Sequence, residues 1–350
     1  MIGNLRSDSY KRVTVIIPCR NEKKFIKPLL ESVNKMDYPS NKLEVIVVDG
    51  MSDDGTREIV ADYAKRYSNI KILDNPAKVV PHALNAAIAV ASGDVIIRMD
   101  VHALYPSDYI SVLVDALAKT GGDNVGACCE TLPASDSLIA TAIALAGSHP
   151  FGVGNSTFRL LNESSEPVLV DTVPFGCFPK EVFKRFGLFD EELIRNQDNE
   201  FNERILKNGG KIFLIPSLKI KYFARENYTK LWKMFYQYGY FGPLVDLKLG
   251  KRTRPRRYIP SIFVLSLILP FLLGFFRPSL RKLSCVAFLL HAFVNSIVSS
   301  LISIRQRNLR LIPYLLCAFL VSHLSYGVGY LRGYFDFVLI GSRRNVELSR

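Results

Sequence analysis

Short apolar runs rich in β-branched residues alternate with longer segments of helical period along residues 13–130. Runs such as Val45–Val48 are apolar at every position, which is typical of strands buried on both faces of a sheet. The predicted strands are Val13–Pro18, Leu43–Asp49, Lys71–Leu73, Val95–Asp100 and Val125–Cys129. The predicted helices between them are Lys24–Met36, Thr56–Tyr67, Pro81–Ala91 and Ser107–Thr120. This alternation predicts an α/β fold with a mostly parallel sheet covered by helices.

The pattern loosens after about Thr131, where helices and strands no longer alternate regularly. A helix over Asp198–Asn208 is predicted to end at Gly209 and Gly210, a common way to stop a helix. The other predicted elements are a helix at Asp136–Ala146, a glycine-rich loop at Gly147–Phe158 and strands at Val168–Phe175, Lys211–Pro216 and Lys219–Phe223. Residues 1–225 are taken together as one predicted domain.

Residues 226–257 form a second predicted segment, aromatic at first and basic afterwards. Tyr228, Trp232, Tyr236 and Tyr240 recur at four-residue steps, which places them on one helix face. Such a face suits a helix lying at a membrane surface, and it suits a helix packed into a core equally well. Six of the ten residues Lys248–Arg257 are basic, as in loops held on the cytoplasmic side of a membrane.

Three runs without a charged residue follow, and each is close to the roughly 20 residues that a helix needs to cross a hydrocarbon core. They are Tyr258–Phe276, Leu283–Ile304 and Leu311–Leu331, of 19, 22 and 21 residues. Residues 258–350 are therefore predicted to form about three transmembrane or membrane-associated helices. The connecting loops, Arg277–Lys282 and Arg305–Arg310, are both basic, so their charges do not fix the topology.

The distribution of charge and the N-terminal sequence indicate where in the cell the protein is located. The net charge of +13 comes from 45 basic and 32 acidic residues, and the excess lies in residues 246–350. It therefore belongs to the membrane region and does not indicate a nucleic-acid partner. Residues 1–12 are polar and lack the apolar core of a signal peptide, so we expect a cytoplasmic first domain on a multi-pass protein of the inner (plasma) membrane.

The cysteines and the polar residues of the apolar runs are interpreted as packing residues. The six cysteines show no CxxC spacing, so we expect them to be reduced. His291, Asn295 and His323 lie inside the apolar runs, where contacts between helices are the simplest interpretation.

Acidic residues follow three of the predicted parallel strands. Glu22 comes after the first strand, Asp49 and Asp53 follow the second, and Asp100 follows the fourth. Ligands bind at the carboxyl ends of the strands in such sheets, so these residues should converge on one edge. Like charges gathered there are costly without a cation or hydrogen-bond donors. The pattern therefore predicts a binding site at this edge.

Asp100 and His102 are two residues apart on an extended segment and could reach one divalent cation. A carboxylate with an imidazole suits Mn²⁺, and Mg²⁺ less readily. Taken singly, each signal has a simpler interpretation: Asp49 can form a turn, and Asp53 can cap the helix that begins near Thr56. The chain has neither a Walker motif nor a GxGxxG after its first strand, which argues against P-loop and dinucleotide chemistry.

Taken in order, four segments resemble the family 2 glycosyltransferases of the GT-A fold. They read VIIPCRNE at 15–22, VIVVDGMSDDGT at 45–56, PHALNAAIAVASGDVIIRMDVHALYP at 81–106 and NQDNEFNERI at 196–205. The words GSHPFGVGNSTFR and VPFGCFPKEVFKRFGLFDEE, with apolar helices after them, are similar to the bacterial succinoglycan-type exopolysaccharide glucosyltransferases. The resemblance implies a GT-A-like fold followed by a C-terminal membrane helical region.

The resemblance also implies a nucleotide-sugar site at the predicted edge. The residues that map onto donor binding are Pro18, Arg20, Glu22, Asp49, Asp53 and Asp100, and Asp54 would shape the neighbouring loop. Lys78 and Asn85 could face the phosphates, with a solvated surface role and packing as open alternatives. The Asp-x-Asp metal motif of the family falls on Asp100 and His102, and the histidine leaves the identity of the metal and its strict requirement open.

The acceptor-activating acid of the family maps onto Asp198, which opens a late helix after Gln197. Asp198 is thus the predicted general base, and its alternative is a first-turn acid favoured by the helix dipole. Gln197, Glu200, Gly176 and His149 are predicted on the acceptor side.

The activity that the resemblance implies is an inverting single displacement with a divalent metal. The donor would be a nucleotide sugar, a UDP-sugar first of all, and the acceptor a lipid-linked or polysaccharide chain at the membrane. Three alternatives stay open: transfer to polyprenyl phosphate, an inactive membrane scaffold that retains the fold, and a nucleotidyltransferase.

Overall fold

The computed structural model of the protein describes residues 10–154, 156–160, 166–250 and 255–341. Contacts divide the chain into two compact units, the first made of residues 1–130 and 157–222 and the second of residues 131–156 and 223–350. Residues 131–156 therefore belong with the C-terminal helices, whereas the sequence pattern places them within a continuous domain 1–225. Each unit is described separately.

The described residues form the following elements. The strands are β1 (Val13–Cys19), β2 (Leu43–Asp49), β3 (Ile70–Asp74), β4 (Val95–Arg98), β5 (Ala103–Leu104), β6 (Asn124–Leu132), β7 (Val168–Leu169), β8 (Cys177–Pro179) and β9 (Ile212–Phe223). The helices are α1 (Lys23–Asn34), α2 (Thr56–Arg66), α3 (Val80–Val90), α4 (Tyr109–Thr120), α5 (Leu138–Ala146), α6 (Pro150–Val153), α7 (Thr157–Leu160), α8 (Glu181–Phe186), α9 (Gln197–Lys207), α10 (Tyr228–Tyr240), α11 (Gly242–Leu249), α12 (Ile259–Leu273), α13 (Arg281–Arg305) and α14 (Ile312–Gly333).

The first half of the sheet is parallel, in the order β3-β2-β1-β4. Helices α1, α2 and α3 follow β1, β2 and β3, which confirms the predicted alternation. The register pairs Cys19 with Asp49 and Ile16 with Arg98. The loops after β1, β2 and β4 therefore leave the sheet at the same edge, where the candidate site is expected.

The second half of the sheet is antiparallel. Strand β8 pairs antiparallel with β4 and β6, and β9 pairs antiparallel with β5 and β7. The predicted strand Val168–Phe175 is only two residues long, and the chain turns at Phe175 and Gly176 before β8. The two strands predicted within residues 211–223 are one continuous strand, β9.

Helices cover both faces of the sheet in the first unit. Val15 and Ile17 of β1 point into one core with α1, α2 and α4, and Ile16 points into the other core with α3, α8 and α9. Successive residues of a strand point to opposite faces, so a strand with two buried faces is apolar throughout. This burial explains the continuous apolar runs in the sequence.

The second unit is helical, and α14 is its centre. Helix α10 packs so closely along α14 that a Cβ on Gly329 would overlap the carbonyl oxygen of Tyr236, and one on Gly333 that of Tyr240. Helices α5 and α6 also pack on α14, where the rings of Phe151 and Phe319 lie 5.0 Å apart. The predicted aromatic helix is thus packed against α14.

The polar residues of the apolar runs join neighbouring helices of the second unit. A ring nitrogen of His291 lies 2.9 Å from one of His323, and Asn295 Nδ2 donates to the carbonyl oxygen of Leu316 at 3.0 Å. These contacts agree with their interpretation as packing residues.

Two of the three predicted membrane runs form long helices. By length and composition, two helical stretches of the described residues are long and apolar enough to cross a membrane: Pro278–Arg305 and Leu309–Leu339. The first run forms only the 15-residue helix α12, which ends at Gly274. Of the basic segment before it, residues 251–254 lie outside the described residues.

Candidate active site

The predicted base and the predicted metal-site aspartate meet at a buried arginine. Arg98 is the last residue of β4, and its residue surface is 7% exposed. Its Nη1 donates to Asp198 Oδ1 at 2.5 Å, and its Nη2 lies 3.8 Å from Asp100 Oδ2. One guanidinium therefore holds two carboxylates that are remote in the sequence.

The loop before β8 positions Arg98. The backbone N–H of Arg98 donates to the carbonyl oxygen of Gly176 at 3.0 Å, and the guanidinium lies 5.7 Å from the ring centre of Phe175. Gly176 has φ +84°, and a Cβ there would approach Asn124 Oδ1 to 2.7 Å, so glycine is required. Gly176, predicted on the acceptor side, thus supports Arg98 through its backbone.

Arg98 is charged despite its burial. Burial alone would lower the pKa of its guanidinium, but the negative charges of Asp198 and Asp100 raise it. Its Nε is buried, and no described residue accepts a hydrogen bond from it. The guanidinium of Arg98 and the carboxylates of Asp100 and Asp198 thus form a partly buried cluster with one more negative than positive charge.

Helix α9 presents Asp198 in its first turn. The helix begins after Asn196, which has a left-handed backbone with φ 64°. Negative charge in a first turn is stabilised by the helix dipole, so this alternative role coexists with the contact to Arg98. Gln197 beside it is buried.

Glu200 points away from this chemistry. Its two carboxylate oxygens accept hydrogen bonds from Arg204 Nε at 2.8 Å and Nη2 at 2.7 Å, and the residue is buried. Arg204 also donates to the carbonyl oxygens of Phe186 and Leu188. These contacts give Glu200 a role in holding α9 to the end of α8.

His102 joins the loop after β4 to the loop after β1. Its Nε2 lies 2.9 Å from Glu22 Oε1, and its ring packs edge-on against Phe25. The backbone N–H of His102 lies 3.4 Å from Asp100 Oδ1. The hydroxyl of Tyr105 accepts a hydrogen bond from the backbone N–H of Asp100 at 2.6 Å, which fixes the turn after β4. Glu22, His102 and Asp100 are thus neighbours in the structure.

Asp49 is fully buried at the end of β2. It accepts hydrogen bonds from the N–H of Ser52 at 3.1 Å, from Ser52 Oγ at 2.5 Å and from Arg57 Nη1 at 3.1 Å. Arg57 also pairs with Asp74 at 2.7 Å, and the hydrogen bonds from Arg57 to Asp74 and Asp49 raise the pKa of its guanidinium. Asp49 therefore anchors the loop that follows it.

The loops after β1 and β2 are tied to each other. Asn21 donates its N–H to Ser52 Oγ at 2.9 Å and accepts at Oδ1 from the N–H of Asp53 at 3.1 Å. The carboxylate of Asp54 accepts from the N–H groups of Thr56 and Lys23, while the side chain of Asp53 is exposed. Asp54 thus shapes the loop.

Three further predicted donor residues lie around this loop pair. Pro18 is half-buried in β1, and the side chain of Arg20 packs over Gly50, where an added Cβ would meet Arg20 Cβ at 3.0 Å. Lys78 is exposed in a turn whose Asn75 donates its N–H to the carbonyl oxygen of Asp49 at 2.8 Å. Arg20 and Lys78 thus add two positive side chains to these loops, besides Arg57, which contacts Asp49 directly.

Asn85 and His149 have other partners. The Asn85 amide is bonded to the backbone of Phe189 and to Glu191, which makes it a packing residue. His149 belongs to the second unit, where its Nδ1 accepts from the N–H of Phe151 at 3.2 Å at the start of α6. Burial lowers the pKa of its imidazole.

Arg98, Arg57 and Tyr105 were not among the predicted site residues. Arg98 was the most detectable, because a charged residue at the end of the apolar run Val95–Ile97 has to find a partner when it is buried. No group of three or more His, Cys, Asp or Glu side chains of the described residues is placed to hold a metal ion.

The sequence and the fold are both similar to those of known proteins. Residues 14–186 match the model of the family described as Glycosyl transferase family 2. A succinoglycan biosynthesis protein, ExoA of Rhizobium meliloti (strain 1021), is 32% identical over 227 residues, which cover 64% of this chain and 67% of that protein.

A second relative and a solved structure extend the comparison. The dolichyl N-acetyl-alpha-D-glucosaminyl phosphate 3-beta-D-2,3-diacetamido-2,3-dideoxy-beta-D-glucuronosyltransferase of Methanococcus voltae is 28% identical over 235 residues, covering 65% of this chain and 71% of that protein. The mannosyltransferase PcManGT from Pyrobaculum calidifontis, solved in complex with GDP-Man and Mn²⁺, aligns with a TM-score of 0.58 at 21% identity, over 92% of this chain and 88% of that one. That likeness confirms the predicted GT-A fold.

The matched residues include β1, β2 and β4 with the loops that carry Asp49, Asp100 and His102. This chain belongs to glycosyltransferase family 2, and it is an enzyme of the glycosyltransferase class.

Proposed function

We propose that this protein transfers a sugar from a nucleotide-sugar donor, a UDP-sugar first of all, to a hydroxyl group of a lipid-linked saccharide or growing polysaccharide. The observation that carries the proposal is the pairing of Arg98 with both Asp100 and Asp198 at the carboxyl edge of the parallel strands. The pairing supports one site in which the donor diphosphate and the acceptor hydroxyl meet.

The donor would occupy the edge formed by the loops after β1, β2 and β4. The nucleotide end would contact Pro18, Glu22 and Asp53, and the buried Asp49 would hold the loop after β2 in place for it. The positive side chains of Arg20 and Lys78 would face the diphosphate, because cations stabilise its charge. The hydrogen bonds that tie Asn21 to Ser52 and Ser52 to Asp49 support this assignment, since they hold the two loops in one arrangement.

Asp198 would act as the general base. Arg98 engages Oδ1, which leaves Oδ2 to accept the proton of the acceptor hydroxyl, and the side chain is 33% exposed. The hydroxyl oxygen would bond to the anomeric carbon while the bond from that carbon to the diphosphate oxygen breaks, with the bonding electrons leaving on the diphosphate. A single displacement of this kind inverts the anomeric centre.

Asp100 and His102 fit a divalent metal, Mn²⁺ or Mg²⁺. If the Nε2–H of His102 donates to Glu22, as the 2.9 Å contact allows, Nδ1 carries the lone pair that a ligand needs. Ligating histidines commonly donate their other N–H to a carboxylate in this way. A site with few protein ligands suits an ion whose remaining ligands are substrate phosphates and water. When bound, the ion would stabilise the negative charge on the departing diphosphate.

The base proposed at Asp198 favours a hydroxyl acceptor over polyprenyl phosphate. A phosphate oxygen is already anionic and needs no base, whereas a hydroxyl group has to lose its proton when it attacks. Asp198, whose side chain is 33% exposed, would accept that proton.

Of the remaining acceptor-side predictions, Gly176 would act through Arg98, and Gln197 and Glu200 through the position of α9. His149 lies in the second unit, and its acceptor-side role stays a prediction. We place the enzyme at the plasma membrane with its first unit in the cytosol, because a soluble donor has to meet an acceptor that is held in the bilayer.

A screen of radiolabelled nucleotide sugars tests the proposal. The full-length protein in detergent or native membranes is incubated with each donor and a lipid extract of those membranes, with and without chelator. We expect one donor to label an organic-extractable or polymeric product, and chelator to abolish the label. A product that forms equally under full chelation would refute the metal role of Asp100 and His102.

Calorimetry separates an enzyme from an inactive scaffold with the same fold. The protein is titrated with UDP and with GDP in the presence of Mn²⁺. Binding in the micromolar to millimolar range supports the enzyme, and no heat at millimolar ligand would support the scaffold.

A further inference from the structure

The exposed apolar surface of the second unit lies mainly on two helices. Large hydrophobic side chains of α12 and α13 are exposed along both helices, from Ile259 (66%) through Phe276 (88%) between the two helices to Ile304 (62%). Within α14 the large hydrophobic side chains are buried or half-buried, and the exposed ones of this stretch lie outside it, at Leu309 and from Tyr334 onward. Side chains that face lipid are exposed in the structure, so we expect lipid to contact α12 and α13 more than α14.

Helix α10, of 13 residues, packs along part of the 22-residue α14 and carries charge. It begins at Tyr228, whose hydroxyl donates to the carbonyl oxygen of Tyr314, and it ends at Tyr240 beside Gly333. On its outer face Lys230 and Lys233 are exposed. These two lysine side chains would be costly to place in the hydrocarbon core of a membrane. This side of α14 therefore faces water.

Helix α13 lies beside α14 at the same level. Contacts between them run from His291 with His323 to Asn295 with Leu316, in antiparallel order. If α13 stood upright in the bilayer, α14 would stand beside it, and α10 with its lysines would enter the hydrocarbon. The packing therefore opposes an upright α13, although its 25 residues are long enough to span.

Basic residues occur at both ends of α13. Arg277, Arg281 and Lys282 lie at its start, and Arg305, Arg307 and Arg310 lie at its end. Basic loops are retained on the cytoplasmic side, where the leaflet carries anionic lipid. An upright helix would place one of these clusters on the opposite side, and a helix in the plane of the membrane places neither there.

We infer that α12 and α13 lie in the plane of the cytoplasmic leaflet, embedded by their exposed apolar faces, with the two basic clusters on anionic headgroups and α14 and α10 above them. None of the described helices would then span the bilayer, and they would hold the protein on one of its sides. This inference rests on the proposed membrane attachment and not on the proposed reaction.

Cysteine labelling tests the topology in the full-length chain. Single cysteines are introduced by Ser279→Cys in the turn before α13, by Gln306→Cys after it and by Lys27→Cys on α1 of the first unit, all at exposed positions. The background carries Cys285→Ala and Cys317→Ala, because these two cysteines are exposed and the other four are buried. A membrane-impermeant maleimide is applied to intact cells and to inverted vesicles.

We expect all three positions to label in inverted vesicles and none in intact cells. Labelling of the Ser279→Cys and Gln306→Cys variants from opposite sides would overturn the inference, because α13 would then cross. Failure of the Lys27→Cys variant to label in inverted vesicles would overturn the cytosolic placement itself.

The depth of α10 and of α13 in the membrane can be compared by the quenching of tryptophan fluorescence. Trp232 on α10 is the one tryptophan of the chain, and Phe288 on α13 is exposed. In vesicles of phosphatidylglycerol and phosphatidylcholine with brominated acyl chains, we expect the fluorescence of Trp232 to be unchanged. The Phe288→Trp variant in a Trp232→Phe background should be quenched at least twofold.

Two results would contradict the proposed arrangement. Quenching of Trp232 to the extent seen for the Phe288→Trp variant would place α10 in the hydrocarbon. Absence of quenching in the Phe288→Trp variant, together with a dimer in solution, would assign the apolar face to a second copy of the chain and not to lipid.

Discussion

At the scale of single residues, Arg98 sets the relation between the two candidate catalytic carboxylates. It is buried, its backbone is fixed to Gly176, and its guanidinium reaches Asp198 at 2.5 Å. A base whose first oxygen is held in this way presents its second oxygen in a defined direction. Arg98 is therefore proposed as a positioning residue that acts through Asp198.

A double-mutant cycle tests this role. We expect Arg98→Met to lower kcat by roughly 10²-fold, because loss of orientation of a catalytic group can cost about that much. In the Asp198→Asn background, Arg98→Met should change kcat by less than about threefold, since the group that it orients no longer acts. The measurement is the initial rate of sugar transfer by the four proteins at saturating donor.

Arg98→Lys is the matched control, because it keeps the charge and should retain more activity than Arg98→Met. Equal losses from Arg98→Met in both backgrounds would show that Arg98 acts on the fold in general and not through Asp198. A rise in the KM for donor with unchanged kcat would instead place Arg98 on the donor.

The residue types of this site were largely predictable, and the partners of several residues were not. Asp49 and Asp100 drew attention because they lie at the ends of predicted strands, and the resemblance to family 2 pointed to Asp198. The contact of Arg98 with Asp198 joins residues 100 positions apart, and local sequence cannot reveal it. Glu200 and Asn85 resembled site residues, but Arg204 and the backbone of Phe189 already engage them.

At the scale of elements, Glu44 stabilises the sheet at the edge opposite to the candidate site. Its carboxylate accepts hydrogen bonds from Lys71 Nζ at 2.7 Å, Thr14 Oγ1 at 2.6 Å and the N–H of Ser92 at 2.9 Å. Burial raises the pKa of Glu44, but these bonds outweigh burial and lower it from 4.5 to about 2. Glu44 thus joins β2 to β1, β3 and the loop before β4.

The lowered pKa of Glu44 predicts a pH-dependent stability. A carboxyl whose pKa is lower in the folded state stabilises that state above the unfolded pKa, and the effect is lost as the pH falls from about 4.5 to about 2. We expect Glu44→Gln to lower the free energy of unfolding at pH 7 by about 1–3 kcal/mol. The difference from the wild type should shrink below pH 4.5.

Thermal unfolding from pH 7 to pH 3 measures this difference, with Glu58→Gln at an exposed position of α2 as the control. A difference between Glu44→Gln and wild type that stays constant over the whole range would reject the assigned cause.

The contact between α10 and α14 depends on glycine. A Cβ on Gly329 would overlap the carbonyl oxygen of Tyr236, which belongs to rigid helix backbone. We expect Gly329→Ala to destabilise the second unit by about 1–3 kcal/mol, as overpacking typically does. Cys317→Ala, at an exposed position of the same helix, should have little effect. The midpoint of thermal unfolding compares the two, and equal midpoints would mean that α10 can move aside at no cost.

The elements of the parallel half followed directly from the sequence, because continuous apolar runs and helical segments alternate there. The antiparallel half was harder to predict. Strand β8 has three residues, and its position beside β4 depends on the left-handed turn at Phe175 and Gly176. Helix α8 escaped prediction because six residues carry little periodicity.

At the scale of the whole molecule, the chain combines a glycosyltransferase unit with a helical unit that carries the apolar surface. The three uncharged runs predicted the apolar helices of the second unit. Nothing in the sequence showed that residues 131–156 belong to the same unit. Length and composition also could not distinguish a spanning helix from one lying in the leaflet. The exposure of large hydrophobic side chains along α12 and α13, compared with the buried and half-buried ones of α14, is what led us to propose the second arrangement.

Asp198 is proposed to remove the proton of an acceptor hydroxyl during sugar transfer. The rate of labelled-sugar transfer by the full-length Asp198→Asn variant, measured beside the wild type at equal donor occupancy, tests this role. We expect a loss of roughly 10²–10⁴-fold with donor binding retained. A loss of only a few fold would contradict it and would point to an acceptor that is already anionic.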